Sequence, residues 1–219
     1  MNDRKSKYPV MGLPVGGIIL FILLYLLASY YYPGGSQHDL KQKGFSWMHN
    51  YWCNLLNERA LNGQPNQARI IALTAWGVLT LSLGWFWFYA PVCLTQGKPL
   101  KHLIRISGLV CALTSLFLFT SYHDGVINLA GGMGMIACAG LLVALKRSRH
   151  TFLYRMGLFS FVWVALNNLI YYGSDDLYYL PVVQKFTFVY FLLWFLLISL
   201  TCVHNHPYST RQTIPERSE

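Results

Sequence analysis

The sequence predicts an all-α integral membrane protein: a six-transmembrane-helix bundle with one amphipathic helix in the first outer loop. Composition is the first reason. Of 219 residues, 54% are hydrophobic and only 11% are charged, whereas an average soluble domain carries about 25% charge. That leaves too little polar surface to cover a soluble globule. It excludes an ordinary soluble enzyme, a disordered chain and a collagen-like rod. The second reason is a series of long apolar runs, each close to the roughly 20 residues a helix needs to cross a bilayer. The third is where the net charge of +9 falls along the chain.

The runs place spans at about residues 10–32, 70–92, 103–122, 125–145, 152–172 and 181–203. Together they make one membrane domain covering 1–219, with an outer loop at 33–67 and a cytoplasmic tail at 204–219. Arg4, Lys5 and Lys7 precede the first run, as in a signal peptide. The run continues past 20 residues into Tyr30, Tyr31 and Tyr32 with no small-x-small cleavage site, which reads as an anchored helix. Barrel strands would alternate in segments of about 10 residues, and nothing here does.

Basic residues set the orientation. With the N-terminus inside, twelve Lys and Arg lie on the cytoplasmic side against three acids, and five lie outside against five acids. That is the positive-inside bias, and it puts both termini in the cytoplasm. The whole net charge then faces inward. It serves as an insertion signal and a contact surface for anionic lipid, and a nucleic-acid partner is not expected. The expected home is a bacterial inner (plasma) membrane.

The outer loop opens on Pro33-Gly34-Gly35-Ser36 and closes on Asn62-Gly63-Gln64-Pro65, both chain breakers. Between them Phe45–Leu61 has helical periodicity. Phe45, Met48, Tyr51, Trp52, Leu55 and Leu56 share one face, and Ser46, His49, Asn50, Cys53, Asn54, Asn57 and Glu58 the other, with His49 and Cys53 one helical turn apart. An interfacial helix capping the bundle is the plain reading. The sharper one has its polar face closing over an outer-leaflet site.

Polar groups near membrane depth are candidates for function. Asp124 opens the fourth helix with Asn128 one turn on, and a helix N-cap is the competing reading. Asn167 and Asn168 sit in the fifth span, as interhelical hydrogen-bond partners or as ligand-orienting amides. Asn50, Asn54, Asp124, Asn128 and Asn167 all fall on the outer side. They suggest a polar pocket for a lipid headgroup or small amphiphile, in a non-catalytic protein whose partners are membrane lipids and which needs no cofactor. An alternative is a metal-dependent lipid hydrolase with zinc held by His49, Cys53, His123 and Asp124, with His38 on the same side. A small-molecule transporter is the third reading. Ala130, Gly134 and Cys138 form a small-residue face on the fourth helix, suited to close helix packing or to an oligomer contact. Asp175 and Asp176 read as a solvated turn within ion-pair reach of Lys185.

The first-loop residues Tyr32-Pro33-Gly34-Gly35-Ser36, Gly44 to Leu56 and Asn62-Gly63-Gln64 resemble bacterial six-helix membrane proteins of the domain-of-unknown-function 998 group. More distantly the chain is similar to the DRAM/Sfk-like superfamily. The turn Tyr122-His123-Asp124 and the Asn167-Asn168 pair are similar to the same group. The resemblance implies a six-helix fold and a membrane location, and it implies no known reaction.

Overall fold

The computed structural model describes residues 9–95, 97–120, 122–173 and 177–204, with the side chains of His123 and Asp124 outside that description. The described residues form six α-helices: α1 (Gly12–Tyr30), α2 (Arg69–Leu94), α3 (Lys98–Ser115), α4 (His123–Arg147), α5 (Thr151–Gly173) and α6 (Leu180–His204). Among the described residues there is no strand, only isolated bridges at Gly34–Lys43 and Arg59–Pro65. Five helices, all except α3, are long and apolar enough to cross a membrane. The expected spans match these five within about two residues, the usual uncertainty of a helix end.

The third span differs. Expected at 103–122, its helix occupies Lys98–Ser115 and gives way to turns at 116–119. Pro99 stands in its first turn, where a missing N–H costs nothing. The polar residues Lys98, Lys101, His102 and Arg105 therefore join the helix instead of preceding it. Their presence makes α3 the least apolar of the six.

Consecutive helices pack on one another, and α1 also packs on α6, so the six close into a ring. α2 reaches across to α4 and α6 as well. Aromatic side chains fill the middle. Toward the loop end, Phe21 touches Tyr25, Trp52, Trp76 and Phe188, joining α1, the loop, α2 and α6. Toward the other end, Phe86, Trp87 and Phe195 meet. Indole N–H groups tie helices together through carbonyls. Trp76 donates to Ser115 at 2.8 Å, and Trp194 donates to Leu153 at 2.8 Å.

Small residues let these helices approach. The α4 face with Gly134 and Cys138 is taken up within the chain, since a Cβ at Gly134 would sit 3.1 Å from Cys111 Sγ of α3. Cys138 and neighbouring Ala137 and Leu141 are buried there. Gly157 of α5 is more tightly held. A Cβ on it would run into the Trp194 ring of α6 and the Leu142 side chain of α4.

Gly157→Val should therefore lower stability in detergent by about 1–3 kcal/mol, the usual cost of overpacking. Thermal denaturation checks this; an unchanged melting temperature would contradict the α4–α5–α6 junction described.

Candidate functional site

Within the loop, Phe45–Leu61 is not the continuous helix its periodicity predicts. Turns occupy 47–49, Tyr51 is extended (φ −73°, ψ 152°), and only Trp52–Leu56 forms a short 3-10 helix. The reason is chemical. Asn and Ser side chains offer backbone groups local partners that compete with helical hydrogen bonds. Asn50 Oδ1 accepts from Ser46 N–H at 2.8 Å, and Asn54 Oδ1 accepts from Tyr51 N–H at 2.7 Å. Ser46 Oγ accepts from His49 N–H at 3.2 Å.

The polar face expected to meet water is instead an internal frame. Asn50 is fully buried, and its amide donates to Gly35 carbonyl at 2.8 Å. Asn54 is buried as well. Asn66 donates to the carbonyls of Asn54, Leu55 and Asn57 and accepts from Ala68 N–H, joining the loop to the start of α2. Arg69 adds a bond to Leu56 carbonyl and a 3.1 Å ion pair with Glu58. Gly35 (φ +82°) runs against the Leu61–Asn62 backbone, where a Cβ has no room. The loop is thus a folded cap whose apolar residues Leu55 and Leu56 enter the core.

One residue of the bundle holds this cap. Lys185, on α6, is 8% exposed. Its Nζ donates to Asn50 carbonyl at 2.5 Å and to Pro181 carbonyl at 2.8 Å, with the Phe45 ring centre 6.0 Å away. A buried ammonium is costly unless its protons find acceptors. Here two carbonyls supply them, one from its own helix and one 135 residues away in sequence. Asp175 and Asp176, the expected ion-pair partners of Lys185, lie outside the described residues. Lys185 is also the only charged residue in the expected sixth span, 181–203, a signal in itself.

Asn128 and Asn167 take no part in the cap's hydrogen bonds among the described residues. Asn128 is exposed on α4. Asn167 is half-buried on α5, and its Oδ1 finds no hydrogen-bond partner among the described residues. The side chain of Asp124 lies outside the description, as does that of His123. His49 and Cys53 lose the one-turn helical spacing that would align them, because extended Tyr51 lies between them. Among the described residues no group of three His, Cys, Asp or Glu is placed to hold a metal ion. What His49 meets instead is His38, with ring centres 5.1 Å apart, and Tyr178, at 4.8 Å. Burial pushes the Cys53 thiol above its ordinary range, and the charge of Lys185 offsets this only in part.

Two grooves open elsewhere, and Asn50, Asn54, Asn128 and Asn167 line neither. One, of about 490 Å³, runs between α2 and α3 and is lined mainly by apolar residues, among them Trp85, Phe88 and Leu113. The other, of about 440 Å³, lies between the start of α5 and the end of α6. His150, Thr151, Thr201 and His204 line it beside Phe152, Leu153, Leu197 and Leu200. His204 Nδ1 donates to Leu200 carbonyl at 2.8 Å, which leaves Nε2 as its outward nitrogen.

Asn50→Ala should cost about 1–3 kcal/mol, because Ser46 N–H and Gly35 carbonyl lose their partner in a buried place. The exposed Asn128→Ala should stay within about 0.5 kcal/mol of the parent. Equal melting temperatures for the two variants would contradict the framing role of Asn50. Because Cys53 is half-buried and desolvation pushes its thiol up, it should react with maleimide near neutral pH at least about tenfold more slowly in the folded chain than in denaturant. Peptide mass spectrometry reads this, and equal rates would contradict it. No family model, no curated protein and no solved structure matches the chain, so the arrangement of its own residues carries the functional reading.

Proposed function

We propose that the chain is a non-catalytic, six-span membrane protein of the bacterial inner membrane that holds an anionic lipid headgroup between α5 and α6. The single observation that carries this reading is the groove at His150 and His204. It sets polar side chains on the rim of an otherwise apolar cleft, the usual make-up of a small-molecule site.

The surroundings favour an anion. Lys146, Arg147 and Arg149 close α4 and the turn into α5, all exposed. Phe152, Leu153, Leu197 and Leu200 offer apolar surface to the upper part of an acyl chain. Basic pockets between spans on the cytoplasmic side suit anionic headgroups in this way.

The six-span reading rests on α3. It packs against both α2 and α4 and joins them through short connections. Its polar residues fall in its first two turns, where long basic side chains reach back to the interface. With α3 crossing, both termini lie on one side, and the positive residues assign that side to the cytoplasm. The headgroup site then moves from the outer face, where the asparagines suggested it, to the inner one.

Native mass spectrometry of protein exchanged into phosphatidylglycerol and phosphatidylethanolamine tests this. The wild type should retain phosphatidylglycerol preferentially. The double variant His150→Ala/His204→Ala, and separately Arg147→Gln/Arg149→Gln, should lose at least about tenfold in that preference, or about 1.4 kcal/mol. Retention unaffected by both pairs would overturn the reading.

A further inference from the structure

We propose that His38 and His49 form a binding site for one divalent transition-metal ion, zinc or copper(II), on the cap formed by the first loop. This lies at the opposite end of the bundle from the α5–α6 groove and does not depend on the lipid reading.

Three observations converge. First, His49 Nε2 is buried and has no hydrogen-bond partner among the described residues. A buried polar atom without a partner is uncommon and calls for a reason. Second, the other nitrogen of the same ring is engaged: Nδ1 lies 3.4 Å from Ser46 Oγ. Ser46 is itself fixed, since its Oγ accepts from His49 N–H and its own N–H donates to Asn50 Oδ1. In the tautomer with hydrogen on Nδ1, that contact orients the ring and leaves the Nε2 lone pair unused. Metal-bound histidines are held in this way, with the second nitrogen bonded to a neighbouring group.

Third, a second imidazole is at the right separation. The His38 and His49 ring centres are 5.1 Å apart. Two imidazoles sharing an ion at nitrogen distances of 2.0–2.1 Å and a tetrahedral angle put their centres about 5 Å apart. His38 is exposed, so its ring has room to present a nitrogen. Tyr178 closes the third side, its ring centre 4.6 Å from that of His38 and 4.8 Å from that of His49.

The donor set selects the ion class. Imidazole suits zinc, copper and nickel, whereas magnesium and calcium want oxygen. Two protein nitrogens leave coordination positions for water or an exogenous ligand. The consequence for the chain is a staple. An ion there bridges residues 38 and 49, which flank the Gly44 turn, and so stiffens the cap that Lys185 holds from below.

The full-length chain, purified in detergent without a histidine tag, would be titrated with ZnCl₂ by calorimetry. The expected result is one saturable site per chain. His38→Ala and His49→Ala should each weaken it at least about tenfold, and Ser46→Ala by about tenfold, as loss of a supporting bond does. The exposed His102→Ala, in the first turns of α3, should leave it unchanged. Because His38 is exposed, its variant keeps the fold, which an unchanged melting temperature confirms. A second readout uses Cu²⁺ and electron paramagnetic resonance, where two imidazole nitrogens on copper are expected. No saturable zinc binding, binding that survives His38→Ala, or copper without histidine nitrogens would each overturn the proposal.

Discussion

Everything distinctive about this protein hangs on one buried lysine. Lys185 sits on α6 where its side chain is almost wholly removed from solvent. Taking an ammonium out of water costs several kcal/mol, and only well-placed acceptors offset that. One acceptor, Pro181 carbonyl, comes with the helix. The other, Asn50 carbonyl, exists there only if the first loop folds as it does. The helix therefore demands the cap, and the cap in turn takes its register from the helix.

From that contact the order spreads along the loop. With its carbonyl held, Asn50 turns its amide to Ser46 and Gly35. The placement of His49 follows from that of its neighbours. Trp52 then enters the aromatic cluster with Phe21, Tyr25 and Phe188, which ties the cap to α1 and α6 at once. At the far end the helices are locked differently. There Trp194 lies over Gly157 and bonds Leu153, and the groove between α5 and α6 opens beside that lock. The two ends thus present different chemistry: a hydrogen-bonded cap that leaves His49 Nε2 and Trp52 Nε1 without partners among the described residues, and a groove lined by His150, Thr151, Thr201 and His204 at the other end.

The spans were legible in the sequence because the bilayer imposes a single physical demand, a run of apolar residues of fixed length. α1, α2, α4, α5 and α6 obey it. α3 does not quite, because Lys98, Lys101, His102 and Arg105 join its first turns and periodicity says nothing about how far a polar end is helical. The loop departs from its periodicity for a related reason. Its apolar residues do recur at helical spacing, and Leu55 and Leu56 are buried as that pattern implies. Yet Asn50, Asn54 and Ser46 satisfy the backbone through their side chains, and a hydrophobic pattern cannot register a hydrogen bond. The same gap hid Asn66, whose three carbonyl partners are brought to it only by the fold. His49 was recognised as a candidate ligand, but with Cys53 as its neighbour. His38, eleven positions earlier, is its neighbour in space.

The most direct measurement of the Lys185 constraint is hydrogen–deuterium exchange over residues 33–67 in the wild type and in Lys185→Met. If that side chain holds the cap, amides from Gly44 to Tyr51 should lose at least about tenfold in protection, or about 1.4 kcal/mol of local stability. Those of α1 and α2 should be unaffected. Equal protection of Ser46 and Asn50 in the two proteins would contradict the account.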